Sequence, residues 1–278
     1  MSEAASPSSA PIAFVGGGNM ARSLIGGLIA RGADPARIRV AEPVAALREA
    51  LARDFGVPVF ERGEDAVDGA QLWLLAVKPQ VMREVCASLA ALARAQAPLA
   101  ISIAAGITAG QLERWLGGDA AVVRAMPNTP ALLGAGITGL YANDAARPRF
   151  AQAAELLSAV GPTVRIDDEA QMDAVTAVSG SGPAYLFLLA EAMQQAGQAQ
   201  GLSSEAARAL VTQTLLGAAT MLGASEEPAA TLRARVTSPG GTTQAAVETF
   251  EAGGLRELVD RAIAAATERG RQLSAANE

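Results

Sequence analysis

Pro11-Ile12-Ala13-Phe14-Val15-Gly16-Gly17-Gly18-Asn19-Met20-Ala21 joins a short apolar run to a segment of helical character that continues to Arg31. Strand, glycine turn and helix start, in that order, are the setting in which G-x-G-x-x-G/A marks a dinucleotide site. Gly16 permits the tight turn. Gly18 lets the main chain approach a pyrophosphate, and Ala21 lets the helix pack closely on the strand. The free N–H groups and the dipole at the helix start, around Asn19 and Met20, would hold the phosphates. A glycine-rich turn that binds nothing is the competing reading; the place directly after a first strand favours the dinucleotide.

Working outward from this turn, residues 11–167 alternate apolar runs with helical patterns. Strands are expected at Ile12–Val15, Ile38–Ala41, Val57–Phe60, Leu72–Val77, Leu99–Ile103, Ala121–Ala125 and Val164–Ile166. Helices are expected at Met20–Ala30, Pro43–Asp54, Gln80–Arg94 and Ala109–Leu116. Such alternation predicts an α/β domain of Rossmann type, a doubly wound parallel sheet covered on both faces. Ligands of such sheets sit beyond the carboxyl ends of the strands. Ala125 to Asn143 is long and uncharged, but Pro127, Pro130 and its glycines make it loop and strand rather than a membrane span.

From about Asp168 only helical patterns remain: 170–178, 183–201, 203–222, 228–235, 242–252 and 255–274. The expected organisation is therefore a disordered leader (1–10), a dinucleotide-binding domain (11–167) and an all-α domain (168–278). The segment from Pro183 is apolar almost all round at Tyr185-Leu186-Phe187-Leu188-Leu189. Such a helix must be buried, and in a domain this small the natural cover is another subunit.

Composition narrows the function. The chain has 278 residues, 50% of them apolar and 18% charged, with a net charge of −6 and 4% aromatic residues. No basic footprint for nucleic acid is present, nor a set of aromatic platforms for bases. Cys86 is the lone cysteine, so no internal disulfide forms, and a reducing cytoplasm is expected. With no histidine in the chain, Ser-His-Asp and Cys-His catalysis and histidine metal sites are excluded.

The residues just past each strand are the ones to inspect. Glu42 follows the second strand, where an acidic group bonds the ribose hydroxyls of NAD and repels the extra phosphate of NADP; Arg39 and Arg48 are near enough to offset that repulsion. Ala76-Val77-Lys78-Pro79 follows the fourth, Ala104-Ala105-Gly106 the fifth and Met126-Pro127-Asn128-Thr129-Pro130 the sixth. Asn128 could donate to a carboxamide or close its own turn. In the helical part, Ser238-Pro239-Gly240-Gly241-Thr242-Thr243 places free N–H groups and two hydroxyls at a helix start, a second anion cradle. A dinucleotide domain followed by a small-anion site describes a reductase acting on a small acid. Reducing a ketone needs a proton donor for the alkoxide, and Lys78 is the lone lysine. A protonated C=N bond is less demanding, so the reading leans to an imine.

Several blocks then carry a specific resemblance: Phe14 to Ala21, Ala76-Val77-Lys78-Pro79, Ser102-Ile103-Ala104-Ala105-Gly106, Arg124 to Pro130, Val178-Ser179-Gly180-Ser181-Gly182-Pro183-Ala184-Tyr185, and Val236 to Thr243. In this order the chain resembles the pyrroline-5-carboxylate reductase family. The resemblance implies reduction of 1-pyrroline-5-carboxylate to L-proline with NADPH or NADH. It implies dinucleotide contacts at Val15, Gly16, Gly17, Gly18, Asn19, Met20 and Glu42, and a nicotinamide side lined by Ala76, Val77, Lys78, Pro79 and Ala105. It places the substrate carboxylate on Ser238, Gly240, Gly241, Thr242 and Thr243. Thr243 would be the catalytic hydroxyl facing the ring nitrogen, and Glu169 an acidic residue near the substrate. It also implies a homodimer built through the helical domain, with five dimers in a ring in many members. Glu42 departs from the family's usual small hydroxyl residue, and Glu227-Pro228 stands where many members have His-Pro. A β-hydroxyacid enzyme of the same plan would need a lysine in the second domain, which has none. A dinucleotide sensor without chemistry is the rival from another class; the intact second cradle speaks against it.

Overall fold

The computed structural model describes residues 11–277; the expected leader, 1–10, lies outside them. Strands β1 (Ile12–Val15), β2 (Ile38–Ala41), β3 (Val59–Phe60), β4 (Leu72–Leu75), β5 (Leu99–Ser102), β6 (Ala121–Met126), β7 (Thr138–Ala142) and β8 (Thr163–Arg165) form one sheet in the order β3-β2-β1-β4-β5-β6-β7-β8. Between them run α1 (Asn19–Ala30), α2 (Ala45–Phe55), α3 (Gly63–Val67), α4 (Pro79–Gln96), α5 (Ala109–Trp115) and α6 (Phe150–Leu157). Beyond the sheet come α7 (Met172–Val175), α8 (Gly182–Ala199), α9 (Ser204–Gly223), α10 (Ala229–Arg235), α11 (Thr242–Ala252) and α12 (Leu255–Ala276).

Strand alternation explains the two-faced core, because successive side chains point to opposite sides. Phe14, Val40, Leu74, Ile101 and Val123 pack with Leu24, Ile25 and Leu157 on one face. Ala13, Val15, Trp73, Leu75 and Val122 pack with Met82, Cys86, Leu89 and Leu112 on the other. Trp73 is fully buried, and its indole Nε1–H donates to the Ala70 carbonyl at 2.9 Å.

The sheet is not wholly parallel. β7 runs antiparallel to β6, pairing Arg124 with Tyr141 and Met126 with Gly139. A parallel return needs a crossover of a dozen or more residues. The proline- and glycine-rich connection from Pro127 has no room for one, so the chain doubles back. The short helices α3 and α6 also carry too few residues to show a period, and they were missing from the expected pattern.

Contacts divide the chain into two units, one running through Ser181 and taking in the residues from Ala266, the other Gly182–Ala265. The division falls later than the composition change at 167/168. A 3-10 turn (Glu169–Gln171), α7 and a π-helical turn (Thr176–Gly180) belong with the sheet. A Cβ on Gly139 would stand 2.6 Å from Val175, and one on Gly180 2.6 Å from Met126, so this segment packs directly on β6 and β7. The helical unit by itself is thinly covered: Ala207 and Val211 are its buried apolar residues among those described.

Candidate active site

The first turn is built as its glycines require. Gly16 has φ +102°, and a Cβ there would lie 2.7 Å from the Ala76 carbonyl oxygen, so a side chain is doubly excluded. Its N–H donates to the Ala41 carbonyl, and the Ala76 N–H donates to the Val15 carbonyl, which ties the turn to β2 and to the exit of β4. Gly17 is closed in: a Cβ there would meet Leu51 at 2.4 Å. Gly18 is exposed with nothing within 4 Å of a Cβ, leaving space in front of the helix. No side chain caps α1, and its first turn carries no acidic residue. Its first N–H groups are orphans, and with the helix dipole they suit a pyrophosphate.

Glu42 stands at this turn, but its carboxylate is already engaged. It is 7% exposed; Oε2 accepts from the Gly17 N–H and Oε1 from the Val44 N–H, each at 3.0 Å. A carboxylate oxygen has a second lone pair, so ribose hydroxyls can still be accepted. The group cannot swing aside without orphaning two N–H groups. Arg39 donates to the Asp68 carbonyl, and Arg48 to the carbonyls of Glu42 and Pro43 at 2.7 and 3.1 Å. Both arginines thus serve to hold backbone.

At the carboxyl edge, Lys78 is exposed at the N-cap of α4, with Pro79 in the first turn. Ala76 and Val77 are half-buried and Ala105 is exposed. Asn128 closes its own loop: its Oδ1 accepts from the Ile137 N–H and its Nδ2 donates to the Ser179 carbonyl, at 3.0 and 3.2 Å, with the second Nδ2 hydrogen still available. Those bonds fix the long β6–β7 connection. Glu169 Oε1 accepts from the Ala109 N–H at 2.6 Å and from Arg124 Nη1 at 2.9 Å. Arg124 is buried, and Glu169 is the carboxylate that balances it. This tie, which joins β6 to the start of α5, was not visible in the sequence because its partners lie 45 and 60 positions apart.

In the helical unit, Gly241 is the N-cap of α11, with no side chain capping it. Gly240 has φ +71°, and the Gly241 N–H closes the turn on the Ser238 carbonyl at 3.0 Å. Gln244, overlooked in the sequence, accepts the Gly240 N–H at 2.7 Å and donates to Glu248 at 2.6 Å, holding the turn from within the helix. Its place three residues after the N-cap is the capping-box position, which was the available signal. Ser238, Thr242 and Thr243 are exposed. The result is a second uncapped helix start, with hydroxyls on its first turn.

Comparison with known proteins agrees with both halves. Residues 169–273 match the family model described as pyrroline-5-carboxylate reductase dimerisation, and residues 11–106 match that described as NADP oxidoreductase, coenzyme F420-dependent. A pyrroline-5-carboxylate reductase of Pseudomonas aeruginosa is 53% identical over 264 residues, covering 95% of this chain and 96% of that protein. The chain belongs to the pyrroline-5-carboxylate reductase family. A solved reductase of this family from Coxiella burnetii superposes with a TM-score of 0.93 at 41% identity, over 96% of this chain and 99% of that one. The reductase of Plasmodium falciparum, solved with NADP bound, superposes with a TM-score of 0.82 at 27% identity, over 96% of this chain and 98% of that one.

Family membership accounts for the exposed apolar faces of the helical unit. Leu186, Phe187 and Leu188 are 56%, 71% and 67% exposed in the single chain. They lie within residues 169–273, whose match to the dimerisation model indicates self-association. Among the described residues no helix is long and apolar enough to cross a membrane, and no group of three or more His, Cys, Asp or Glu could hold a metal.

Proposed function

We propose that this chain reduces 1-pyrroline-5-carboxylate to L-proline with NADH or NADPH, holding the dinucleotide on the start of α1 and the substrate carboxylate on the start of α11. The observation that carries the reading is the second cradle: an uncapped helix start with exposed Thr242 and Thr243 on its first turn. NAD(P)H, when bound, would supply a hydride from nicotinamide C4 to C5 of the protonated pyrroline, whose C=N π pair becomes the lone pair of the amine nitrogen.

The chain's own part is to position and to exclude. The N–H groups from Gly18 to Met20 take the pyrophosphate, and Glu42 faces the ribose. Ala76, Val77, Lys78, Pro79 and Ala105 border the nicotinamide. The small or apolar side chains of Ala76, Val77, Pro79 and Ala105 let a planar ring lie against the sheet edge. The carboxylate sits on the turn of Gly240 and Gly241, whose own N–H groups close that turn on Gln244 and Ser238; it is received by the first-turn N–H groups of Thr242 and Thr243, with the Ser238 hydroxyl beside them. The Thr243 hydroxyl meets the ring nitrogen. An imine used in its protonated form needs no strong acid from the protein, which suits a chain without histidine. Glu169 stays near the substrate: Oε1 holds Arg124 and the Ala109 N–H, which leaves Oε2 for the substrate side. The dimer of the family is the working unit here, with five such dimers in a ring as the full assembly. A lone buried cysteine suits a cytoplasmic enzyme.

The test is Thr243→Ala. Loss of one hydrogen bond to a charged nitrogen is worth about 1.5–3 kcal/mol, so kcat/KM for 1-pyrroline-5-carboxylate should fall roughly ten- to a hundredfold. The Kd of NADH and NADPH should stay within twofold. An unchanged kcat/KM places the substrate elsewhere.

A further inference from the structure

The loop after β5 is held by the far end of the chain. Gly106 has φ +71°, and a Cβ there would stand 3.3 Å from Leu273 Cβ and 3.5 and 3.6 Å from the main chain of Leu273 and Ser274. The loop therefore lies directly on the backbone of α12. Two side-chain amides clamp the contact. Asn277 Nδ2 donates to the Gly106 carbonyl at 3.0 Å, and Gln111 Nε2 donates to the Ser274 carbonyl at 3.3 Å. Gln111 is 1% exposed, and its Oε1 accepts the Thr108 N–H at 2.7 Å, completing the capping box of α5. The packing is close enough that the Ser274 hydroxyl is buried without a hydrogen-bond partner among the described residues. Ala105, one residue before the clamped glycine, is exposed.

We infer that the last turn of α12 is a strut that sets the 104–106 loop against the nicotinamide, and that Asn277 and Gln111 are positioning residues for hydride transfer. The inference rests on the reading above that Ala105 borders the ring. A glycine loop with positive φ and no side chain of its own has little to fix it locally. Ile103 and Ile107 anchor its two ends to β4 and to the core; between them, Gly106 is set by the helix end it packs on. Hydride transfer is sensitive to donor placement at the ångström level, so slack in this loop is read at the chemical step before it is read in substrate binding.

The test uses the full-length enzyme with Asn277→Asp and Gln111→Glu combined. These changes remove both donors, while the new carboxylate at 111 still accepts from Thr108. Four quantities are read: Tm, the Kd of NADH against that of ADP-ribose, kcat and KM for 1-pyrroline-5-carboxylate, and the deuterium isotope effect on kcat with C4-deuterated cofactor. The strut predicts a fivefold or greater fall in kcat, a raised isotope effect, and weaker NADH binding. It also predicts ADP-ribose affinity and substrate KM within twofold of the unaltered enzyme. A lowered Tm with kcat, isotope effect and the NADH-to-ADP-ribose ratio unchanged makes the contact structural only and overturns the inference. Asn277→Ala, at the helix end where folding is not at stake, should shift the same quantities about twofold; no shift there overturns it too. If the unaltered enzyme turns over 1-pyrroline-5-carboxylate with neither cofactor, the functional reading fails. The strut is then judged by the NADH-to-ADP-ribose affinity ratio alone.

Discussion

Helices α4 and α8 are each 18 residues long and rich in apolar side chains, yet they are used in opposite ways. α4 buries Met82, Cys86, Leu89 and Ala93, a single stripe at helical spacing laid on the sheet. α8 has no fully buried residue within the chain, and its Leu186, Phe187 and Leu188 point to successive sides. A stripe can be satisfied by one neighbouring layer; an all-round apolar helix needs several. The sheet unit supplies its own layers. The helical unit does not, and it falls within the residues that match the family's dimerisation model, which indicates self-association.

The largest effect should come from attacking that exposed apolar helix. Phe187 is 71% exposed, so Phe187→Asp costs a lone chain little; if α8 is the self-association surface, the change buries a charge there. Sedimentation velocity should show monomers, and activity should fall to background. An active oligomer of unchanged size would mean that α8 is not the interface. The mirror experiment is Leu89→Ala in α4, where the side chain is fully buried in the chain itself. It should cost about 2–5 kcal/mol in denaturant unfolding without changing the subunit number. Leu188→Ala, at a 67% exposed position, should change the dimer Kd and leave α4 untouched. Equal responses from the two helices would dissolve the contrast.

A smaller effect tests how self-contained the sheet unit is in its polar groups. Glu42 is tied to Gly17 and Val44 rather than left for a ligand alone. Glu42→Ser removes the charge that a 2′-phosphate would face. The ratio of kcat/KM for NADPH to that for NADH should rise about tenfold or more, with no change in subunit number. A ratio that stays put removes Glu42 from cofactor discrimination.

How much of this was legible in the chain follows the same division. Periodicity placed β1, β2 and α11 at their observed bounds, because strand alternation and a glycine turn are local signals. It gave β7 no bounds, reading 125–143 only as loop and strand, since a strand that doubles back without a helix offers no strand–helix alternation to delimit it. The glycine cradles were legible because their chemistry is written in consecutive residues, Gly16 to Gly18 and Gly240 to Thr243. The ties of Glu169 to Arg124, Asn128 to Ser179 and Asn277 to Gly106 were not. They join residues brought together only by the fold. Each carries an amide or carboxylate that in sequence looks as free for a ligand as any other.

Cys86 gives the last and smallest test, and it bears on what burial by the chain alone achieves. It lies fully buried in the α4 stripe, and that burial pushes its thiol from 9.0 up to about 12. The folded state therefore keeps the proton that the unfolded chain gives up above pH 9. The sign follows from linkage: the contribution to stability is whole below pH 9 and is lost as the pH rises from there towards 12. The loss should approach about 1.4 kcal/mol per pH unit over that range. It would appear as a steeper fall in the denaturation midpoint for the unaltered protein than for Cys86→Ala, and the difference between the two cancels the titration of tyrosine and lysine. At pH 8 a thiol reagent should leave the native protein unlabelled and label one site per chain after denaturation. Rapid labelling of the native protein would mean that α4 opens from the sheet. The sheet unit would then share the dependence on a partner that α8 displays.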